Sequence, residues 1–403
     1  MIADKMVELV GNSSVIRAMF EEGKRLARKY GAENVFDFSL GNPNVPAPKE
    51  VNEAIKSLVD EEESTVLHGY MSNSGYEDVR AAIAGSLNRR FGTSFDESNI
   101  IMTVGAAGGM NVFFKAVVNA GDEIMTFAPY FGEYRAYAAN ADGRLVVVPP
   151  ETDTFQPNLD AFEKLITPKT KAVIVNTPNN PTGVVYSEET IRRMAQIMER
   201  KQKEYGNVIF LFSDEPYREL AYDGVKVPYL TKYYANTVVG YSYSKSLSLP
   251  GERIGYLVIP DELDDSATIK TACNVATRIL GFVNAPSLMQ KVIGKCVDVD
   301  ISENIEIYNR NREALYNGLT GLGFKCIKPE GAFYLFVKTP VDDNEFCQKA
   351  KKYNILVVPG NTFGCAGFVR IAYCVSYDTI INSLPKFKEL AEELGLAEQR
   401  GTL

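Results

Sequence analysis

VIFLFSDEPY, residues 208–217, is an apolar run that ends abruptly in polar residues. A short continuous apolar run of this kind is typical of a strand that is buried on both faces of a parallel sheet. Seven such strands are predicted, with helical segments between several of them: strands Ile100–Val104, Glu123–Phe127, Leu145–Val148, Ala172–Asn176, Val208–Ser213, Thr237–Tyr241 and Ile254–Ile259, and helices Gly108–Val118, Asn158–Ile166 and Ser187–Tyr205. The alternation predicts an α/β fold in which a mostly parallel (mixed) seven-stranded sheet carries helices on both faces.

The last third of the chain has a different pattern, in which a long helical segment precedes several short strands and a terminal helix. These elements are the helix Ile301–Leu319, the strands Phe324–Lys328, Ala332–Val337, Ile355–Val358 and Phe368–Tyr373, and the helix Tyr377–Leu394. An opening helix near Ser13–Tyr30 is expected to pack on this part or on a neighbouring subunit. We therefore predict a large domain over residues 46–285 and a smaller α+β domain over residues 1–45, with an N-terminal arm, and 286–403.

Composition excludes several classes of protein. The 403 residues are 45% hydrophobic and 23% charged, which is ordinary for a globular protein. The formal net charge of −8 argues against nucleic acid or an anionic membrane as the main partner. Because the chain has neither a membrane-length apolar stretch nor a secretory leader pattern, we expect a cytoplasmic protein.

The cysteines and the single histidine limit the available chemistry further. All six cysteines lie in the last third and none forms a CxxC pair, so we expect reduced, mostly buried thiols and no metal site. His68 is the only histidine, which rules out a histidine-rich metal site or a paired-histidine relay. An enzyme with this composition is expected to use lysine, carboxylate or a bound cofactor.

Polar residues follow two of the predicted strands, where ligands bind in sheets of this kind. Asp214 and Tyr217 come directly after one strand, and Asp214 is either a turn residue or a carboxylate that pairs with a cation. Lys245 follows the next strand, among Ser242, Tyr243 and Ser244, with Arg253 eight residues further on. Hydroxyls and an arginine suit a phosphate, and a lysine whose pKa is lowered can form a Schiff base with a carbonyl.

Two further loops occupy similar positions. Gly105-Ala-Ala-Gly-Gly109 joins a strand to a helix and leaves backbone N–H groups free to face an anion. A dinucleotide-binding turn of a nicotinamide-dependent dehydrogenase would look similar, but the spaced G-x-G-x-x-G pattern is missing. The loop Thr177–Gly183 contains two prolines and two asparagines, which indicates a stiff loop that presents an amide side chain.

Five motifs together resemble the class I/II pyridoxal-phosphate-dependent aminotransferases, which have the aspartate aminotransferase-like fold called fold type I. They are LGNP at Leu40–Pro43, NNPTG at Asn179–Gly183, DEPY at Asp214–Tyr217, SYSKSLSLPGERIG at Ser242–Gly255 and VRIAY at Val369–Tyr373. Their order and spacing match over nearly the whole chain.

The resemblance implies that pyridoxal 5′-phosphate is the cofactor. Lys245 would carry it as a Schiff base and then move the substrate proton, and Asp214 would keep the ring nitrogen protonated. Tyr217 and Asn180 would hydrogen-bond the phenolic oxygen of the ring. The resemblance assigns the remaining cofactor contacts to the backbone at Gly105, Ala106 and Ala107, to Ser242, Ser244 and Arg253 for the phosphate, and to Phe131 for ring stacking.

The same resemblance implies the substrate contacts. Arg370 would bind the α-carboxylate of an amino acid or 2-oxo acid through a bidentate fork, with help from Gly41 and Asn180. Tyr70 would reach the phosphate of the neighbouring subunit, so a homodimer with shared active sites is implied. The expected reaction moves the α-amino group of an L-amino acid to a 2-oxo acid, for which 2-oxoglutarate is a frequent acceptor in the family.

Several alternatives stay open at this point. β-Elimination by a pyridoxal-phosphate lyase begins with the same proton abstraction, and the motifs do not separate it from transamination. The turn at Ala106-Ala107-Gly108 is less polar than in many family members, so one phosphate contact or side-chain-selecting charge is missing there. Arg135 and Arg278 are candidates for a distal substrate carboxylate. Aspartate, aromatic and aliphatic amino acids are all possible donors.

Overall fold

A computed structural model describes residues 15–396 together with residues 2, 3, 6, 7 and 10. The strands of the described part, in chain order, are β1 (Phe36–Asp37), β2 (Ile100–Thr103), β3 (Glu123–Phe127), β4 (Arg144–Val148), β5 (Thr170–Asn176), β6 (Phe210–Asp214), β7 (Thr237–Ser242), β8 (Gly255–Val258), β9 (Lys325–Cys326), β10 (Tyr334–Lys338), β11 (Ile355–Leu356), β12 (Val358–Pro359) and β13 (Phe368–Ala372).

The α-helices of the same part, in chain order, are α1 (Val15–Tyr30), α2 (Lys49–Glu61), α3 (Ser64–Leu67), α4 (Glu77–Phe91), α5 (Gly105–Val117), α6 (Tyr134–Asn140), α7 (Leu159–Leu165), α8 (Glu188–Tyr205), α9 (Tyr243–Ser246), α10 (Ser266–Ile279), α11 (Ser287–Cys296), α12 (Ser302–Gly321), α13 (Asp343–Lys352) and α14 (Tyr377–Glu393). Most predicted boundaries agree with these to within a few residues.

The largest sheet has seven strands in the order β2-β8-β7-β6-β5-β3-β4. Strands β7, β6, β5, β3 and β4 run parallel, whereas β8 is antiparallel to both of its neighbours, β2 and β7. The carboxyl ends of β2, β5, β6 and β7 therefore lie at one edge together with the start of β8. The predicted α/β fold with a mixed seven-stranded sheet is confirmed.

Helices cover both faces of this sheet because its central strands are apolar on both sides. In β5, Ala172 and Ile174 pack with α5 and α10, whereas Val173 and Val175 face the opposite side with α7 and α8. Residues Ile100 and Met102 of β2 pack with α2, α4 and α11. This double burial explains the continuous apolar runs in the sequence.

The remaining strands form two small sheets. Strands β12, β13, β10 and β9 make an antiparallel sheet in that order, and β1 pairs with β11 in parallel. Helices α12 and α14 pack against this part, and Leu26 of α1 packs with Val35, which precedes β1, and with Leu356 of β11. The opening helix thus packs on the C-terminal part of the chain, which is one of the two positions expected from the sequence. Residues 13 and 14 of the predicted helix lie outside the described part.

The division into domains stays a prediction. The pairing of β1 with β11 is compatible with grouping residues 1–45 with the C-terminal part. Helix α11, by contrast, packs against α2 and α4 through Val292 and Ile293, so it lies against elements of the predicted large domain.

Two further features bear on the sequence analysis. The six cysteines are free and five of them are buried, as expected. None of the described helices is both long and apolar enough to cross a membrane.

The loop that contains NNPTG is locked against the turn before β10, and a substitution can test this contact. Gly183 has φ +72°, and a Cβ atom there would lie 2.5 Å from Pro329 Cβ and 2.8 Å from the Tyr334 carbonyl oxygen. Gly206 has a similar φ of +68° but nothing within 4 Å. We expect Gly206→Ala to cost about 1 kcal/mol of stability from backbone strain alone and Gly183→Ala about 1–3 kcal/mol more.

Chemical denaturation of both variants measures the difference. Equal losses of unfolding free energy in the two variants would show that the loop tolerates a side chain at residue 183 and that the contact is not tight.

Candidate active site

A cavity of about 310 Å³ opens at the sheet edge where the strand ends meet. Twelve of the predicted site residues line it: Gly41, Ala106, Ala107, Phe131, Asn180, Asp214, Tyr217, Ser242, Ser244, Lys245, Arg253 and Arg370. Residues that sequence reasoning did not select also line it: Leu40, Met110, Tyr134, Tyr137, Asn176, Pro216, Pro250 and Tyr334. The cavity therefore gathers side chains that are up to 330 residues apart, from Leu40 to Arg370.

One end of the cavity has hydrogen-bond donors that suit an anion. Helix α5 begins at Gly105, three residues earlier than predicted, so the first-turn N–H groups of Gly105, Ala106 and Ala107 face this end, and no side chain caps them. Gly105 has φ +75°, and a Cβ atom there would lie 3.0 Å from an Arg253 guanidinium nitrogen and 3.6 Å from Ser242 Oγ. The absence of a side chain at Gly105 is what leaves room for an anion here.

Two serines and an arginine complete this end. The hydroxyls of Ser242 and Ser244 are 2.7 Å apart, at the end of β7. Arg253 precedes β8, and because β8 is antiparallel its first residue, Gly255, pairs with Ser242 and Thr103. The reversal of one strand thus brings Arg253 to the same edge as the serines.

Asp214 is a buried carboxyl group at the end of β6. The residue is 7% exposed, and within the described part of the chain its carboxylate accepts a single side-chain hydrogen bond, from the Tyr134 hydroxyl. Burial raises the pKa of Asp214 from 3.8 to about 7, although the bond from Tyr134 lowers it. A cation in the cavity would favour the charged form, so this position suits a partner that carries a positive charge.

Asn176 holds the ends of β5 and β6 together beneath the site. Its Nδ2 donates to the Asp214 carbonyl oxygen at 2.9 Å, and its Oδ1 accepts from the backbone N–H of Asn180 at 2.8 Å. The sequence signal for it was a polar residue at the carboxyl end of a buried strand. Asn176 thereby fixes the NNPTG loop relative to Asp214.

Lys245 lies in the short helix α9, with its amine inside the cavity. Nζ donates to the Gly41 carbonyl oxygen at 2.6 Å. Burial is the largest influence on the pKa of Lys245, which is lowered to about 8. Cys374 opposes this lowering, and the positive charges of Arg370 and Arg253, each a smaller influence, contribute to it. A larger fraction of this amine is therefore neutral near pH 7 than for an exposed lysine.

Arg370 is 2% exposed and retains unused donors. One terminal nitrogen donates to Asn180 Oδ1 at 3.0 Å and the other to the Ser39 carbonyl oxygen at 2.6 Å. Its Nε has no hydrogen-bond partner. A guanidinium has five N–H donors, so a buried arginine with an orphaned Nε on a cavity wall can bind a carboxylate.

Tyr217 lies beside Arg370 and is paired with a second tyrosine. Its hydroxyl is 2.8 Å from that of Tyr334, and the two rings meet edge to face. Burial raises the pKa of both hydroxyls, that of Tyr334 to about 12, so both are protonated at neutral pH. The only sequence signal for Tyr334 was its place in a predicted strand.

Three other candidates lie outside the cavity. Tyr70 is 91% exposed at the surface of this chain. A guanidinium nitrogen of Arg135 donates to the Tyr130 hydroxyl at 2.7 Å, and Arg278 is exposed near the end of α10. His68 ends the short helix α3 and does not line the cavity.

Comparisons with known proteins identify the family. A family model described as aminotransferase class I and II matches residues 33–383. The chain belongs to this family. Among curated aminotransferases, the aspartate aminotransferase of Thermotoga maritima is 29% identical over 91% of this chain and 94% of its own, and the aromatic-amino-acid aminotransferase 2 of Thermococcus litoralis is 28% identical over 95% and 96%.

A solved aminotransferase structure also matches the fold over almost its whole length. The amino transferase from Eubacterium rectale is 50% identical with a TM-score of 0.95, covering 98% of this chain and 99% of that one. The predicted family and fold class are thereby confirmed.

The buried carboxyl group of this aminotransferase predicts a pH dependence of stability. Because the pKa of Asp214 is raised to about 7 from 3.8, the folded protein binds more protons than the unfolded chain between these values. Its contribution to stability is therefore present in acid and is lost as the pH rises towards 7. Between pH 5 and 8 the cofactor-free protein should lose roughly 2–3 kcal/mol more than the Asp214→Asn variant does.

Unfolding free energies of both proteins at the two pH values test this, with the exposed Asp60→Asn as a control that should behave like the parent protein. If Asp214→Asn shows the pH dependence of the parent, the carboxyl group is ionised in the cavity throughout this range.

Proposed function

We propose that this aminotransferase uses pyridoxal 5′-phosphate bound through Lys245 to move the α-amino group of an L-amino acid to a 2-oxo acid, with 2-oxoglutarate as the first acceptor to test. The observation that carries the proposal is that one cavity holds a buried carboxyl group, an amine of lowered pKa and an arginine with an unused donor. Asp214, Lys245 and Arg370 are these three groups.

The residues present fit the cofactor. The N-terminus of α5, the hydroxyls of Ser242 and Ser244, and Arg253 suit its phosphate, because Gly105 leaves a cradle that a Cβ atom would fill. Phe131 would stack on the ring, and Tyr217 and Asn180 would contact its phenolic oxygen. When bound, pyridoxal phosphate supplies an aldehyde that condenses with amines and a ring that accepts electrons from Cα.

Asp214 would hold a proton on the ring nitrogen. Its pKa of about 7 belongs to a carboxyl group without a cationic partner, and an adjacent positive charge lowers it. The Tyr134 hydroxyl already donates to one carboxylate oxygen and so orients the group. Asn176 fixes the backbone beneath, which keeps the carboxylate at the end of β6.

Lys245 would act as the base at the substrate Cα. A pKa of about 8 leaves a useful neutral fraction at physiological pH, and the same amine can return the proton. Its contact with the Gly41 carbonyl oxygen shows that the side chain reaches across the cavity towards the predicted substrate contact.

Arg370 would bind the α-carboxylate shared by amino acid and oxo acid. Two of its N–H groups hold it to Asn180 and Ser39, and the orphaned Nε supports a further bond to a carboxylate. A buried guanidinium without a carboxylate partner is costly, and a bound α-carboxylate would offset that cost.

We further propose a homodimer in which Tyr70 reaches the partner's phosphate site. Tyr70 is 91% exposed, and Ile279 on the neighbouring segment is 64% exposed. The two segments are tied together by Ser74 Oγ, which donates to Asn274 Oδ1 at 2.9 Å. A partner chain that covers these two segments would bury the exposed side chains of both. The cytoplasmic location stays a prediction.

Transamination is favoured over the two alternatives. The relatives reported above are named aminotransferases, and neither a lyase nor a dehydrogenase is among them. A dehydrogenase would also leave Lys245, Asp214 and Arg370 without connected roles.

Loss of the lysine tests the proposal directly. The protein loaded with pyridoxal phosphate should show a visible absorption band that bleaches with accepted L-amino acids. Borohydride reduction of the loaded protein, before any amino acid is added, should leave a cofactor-derived mass on residue 245, read by peptide mass spectrometry. Lys245→Ala should lose the mass and about a thousandfold or more of the activity, whereas Lys226→Ala, at an exposed lysine, should keep both.

The proposal fails if no band forms with the parent protein, or if Lys245→Ala turns over at the parental rate.

Mixed dimers test the shared site. Tyr70→Phe and Lys245→Ala chains, co-expressed with different tags, should form heterodimers with one intact site, because each site takes Lys245 from one chain and Tyr70 from the other. We expect about half of the parental activity, since a two-fold dimer has two sites. If the heterodimers are no more active than the mean of the Tyr70→Phe and Lys245→Ala homodimers, Tyr70 does not contribute to the partner's site.

A further inference from the structure

Tyr334 lines the cavity, and the proposed function gives it no role. It is 2% exposed and begins β10, one of whose two neighbours in the sheet is β13. Phe336 is the partner of Arg370 in that register, so Tyr334, two residues earlier, lies on the same face and diagonal to the arginine. The Arg370 guanidinium carbon consequently lies 4.6 Å from the Tyr334 ring centroid.

The hydroxyl of Tyr334 has its own contacts. It lies 2.8 Å from the Tyr217 hydroxyl, and a Cβ atom on Gly41 would lie only 2.0 Å from it. The Gly41 carbonyl oxygen is the acceptor for Lys245 Nζ. One side chain thus touches the predicted carboxylate site through its ring, and the predicted cofactor contact through its hydroxyl.

The tyrosine pair also has a directional constraint. Both hydroxyls are protonated, and in a single hydrogen bond one donates and the other accepts. When Tyr334 donates, the proton of Tyr217 is left for a third group, and a hydroxyl that accepts one bond becomes a stronger donor in another. A bond donated by Tyr334 would therefore strengthen the bond that Tyr217 donates into the cavity.

We propose that Tyr334 is a positioning residue that holds Arg370 with its ring and directs the proton of Tyr217 with its hydroxyl. The proposal rests on the proposed function, because it takes Arg370 as the α-carboxylate contact and Tyr217 as the contact to the phenolic oxygen. Through one side chain, it links the proposed substrate contact at Arg370 to the proposed cofactor contact at Tyr217.

Two substitutions separate the ring from the hydroxyl. Tyr334→Phe keeps the ring, so the half-saturating concentration of an accepted L-amino acid should change less than about twofold. Without the donated bond, Tyr217 stabilises the phenolic oxygen less well. The pH at which the visible absorption of the bound cofactor changes should then rise by about 0.5–1 unit.

Tyr334→Leu removes both contributions. It should show the same rise in the spectral transition, and in addition a half-saturating concentration that is about 2- to 30-fold higher, because the guanidinium loses its ring. Phe363→Leu is the matched control. Phe363 is the other ring near Arg370, at 4.9 Å, so its loss should weaken amino-acid binding and leave the spectral transition in place.

The spectral titration needs no turnover and separates the possible failures. A parent protein without a cofactor band would refute the proposed function itself. A normal parent whose spectral transition is unchanged in Tyr334→Phe would overturn the role of the hydroxyl, and an unchanged half-saturating concentration in Tyr334→Leu would overturn that of the ring. A general loss of stability, with neither parameter moved selectively, would make Tyr334 a packing residue and overturn both.

Discussion

Desolvation is the constraint on which the site depends. The cavity removes water from a carboxyl group, an amine and a guanidinium without pairing them with one another. Asp214 accepts a bond from a tyrosine, Lys245 donates to a backbone carbonyl, and Arg370 donates to an amide and another carbonyl. Because no ion pair among them offsets the loss of water, the pKa of the acid is raised and that of the lysine is lowered.

The sheet provides the means of placing these groups together. Parallel strands deliver Asn176, Asp214 and Ser242 to one edge, and the reversed strand β8 adds Arg253 from its start. Arg370 comes from the separate antiparallel sheet. It lies on β13, which is flanked by β10 and β12. Two aromatic rings from these neighbours contact the guanidinium: Tyr334 on β10 and Phe363 in the turn that follows β12. Because Asp214 and Arg370 belong to different sheets, the distance between them depends on how the two sheets are positioned relative to each other.

The sequence was sufficient to predict most strands of the large sheet and the site residues that belong to a motif. Strand β3 matches its predicted bounds, Glu123–Phe127, because it is buried along its whole length and three of its five residues are apolar. Helix α5 begins three residues before the prediction, since glycine and alanine at its start carry no capping signal. Sequence reasoning missed three cavity residues, Tyr134, Asn176 and Tyr334. Each is hydrogen-bonded to a motif residue at least 38 positions away in the chain, and such a contact is visible only in the folded structure.

The neighbouring residues Asp214 and Glu215 show the physical difference between the acid that the motif selects and the acid beside it. Both are buried carboxyl groups at the end of β6, and burial raises the pKa of both. Glu215 accepts bonds from the Ser213 hydroxyl and from Arg218, which is itself buried, so it is a structural ion pair. Asp214, on the cavity side, has one tyrosine donor and no cation. Composition treats the two acids alike. A positively charged ligand would be stabilised more by Asp214, because Glu215 is already paired with Arg218.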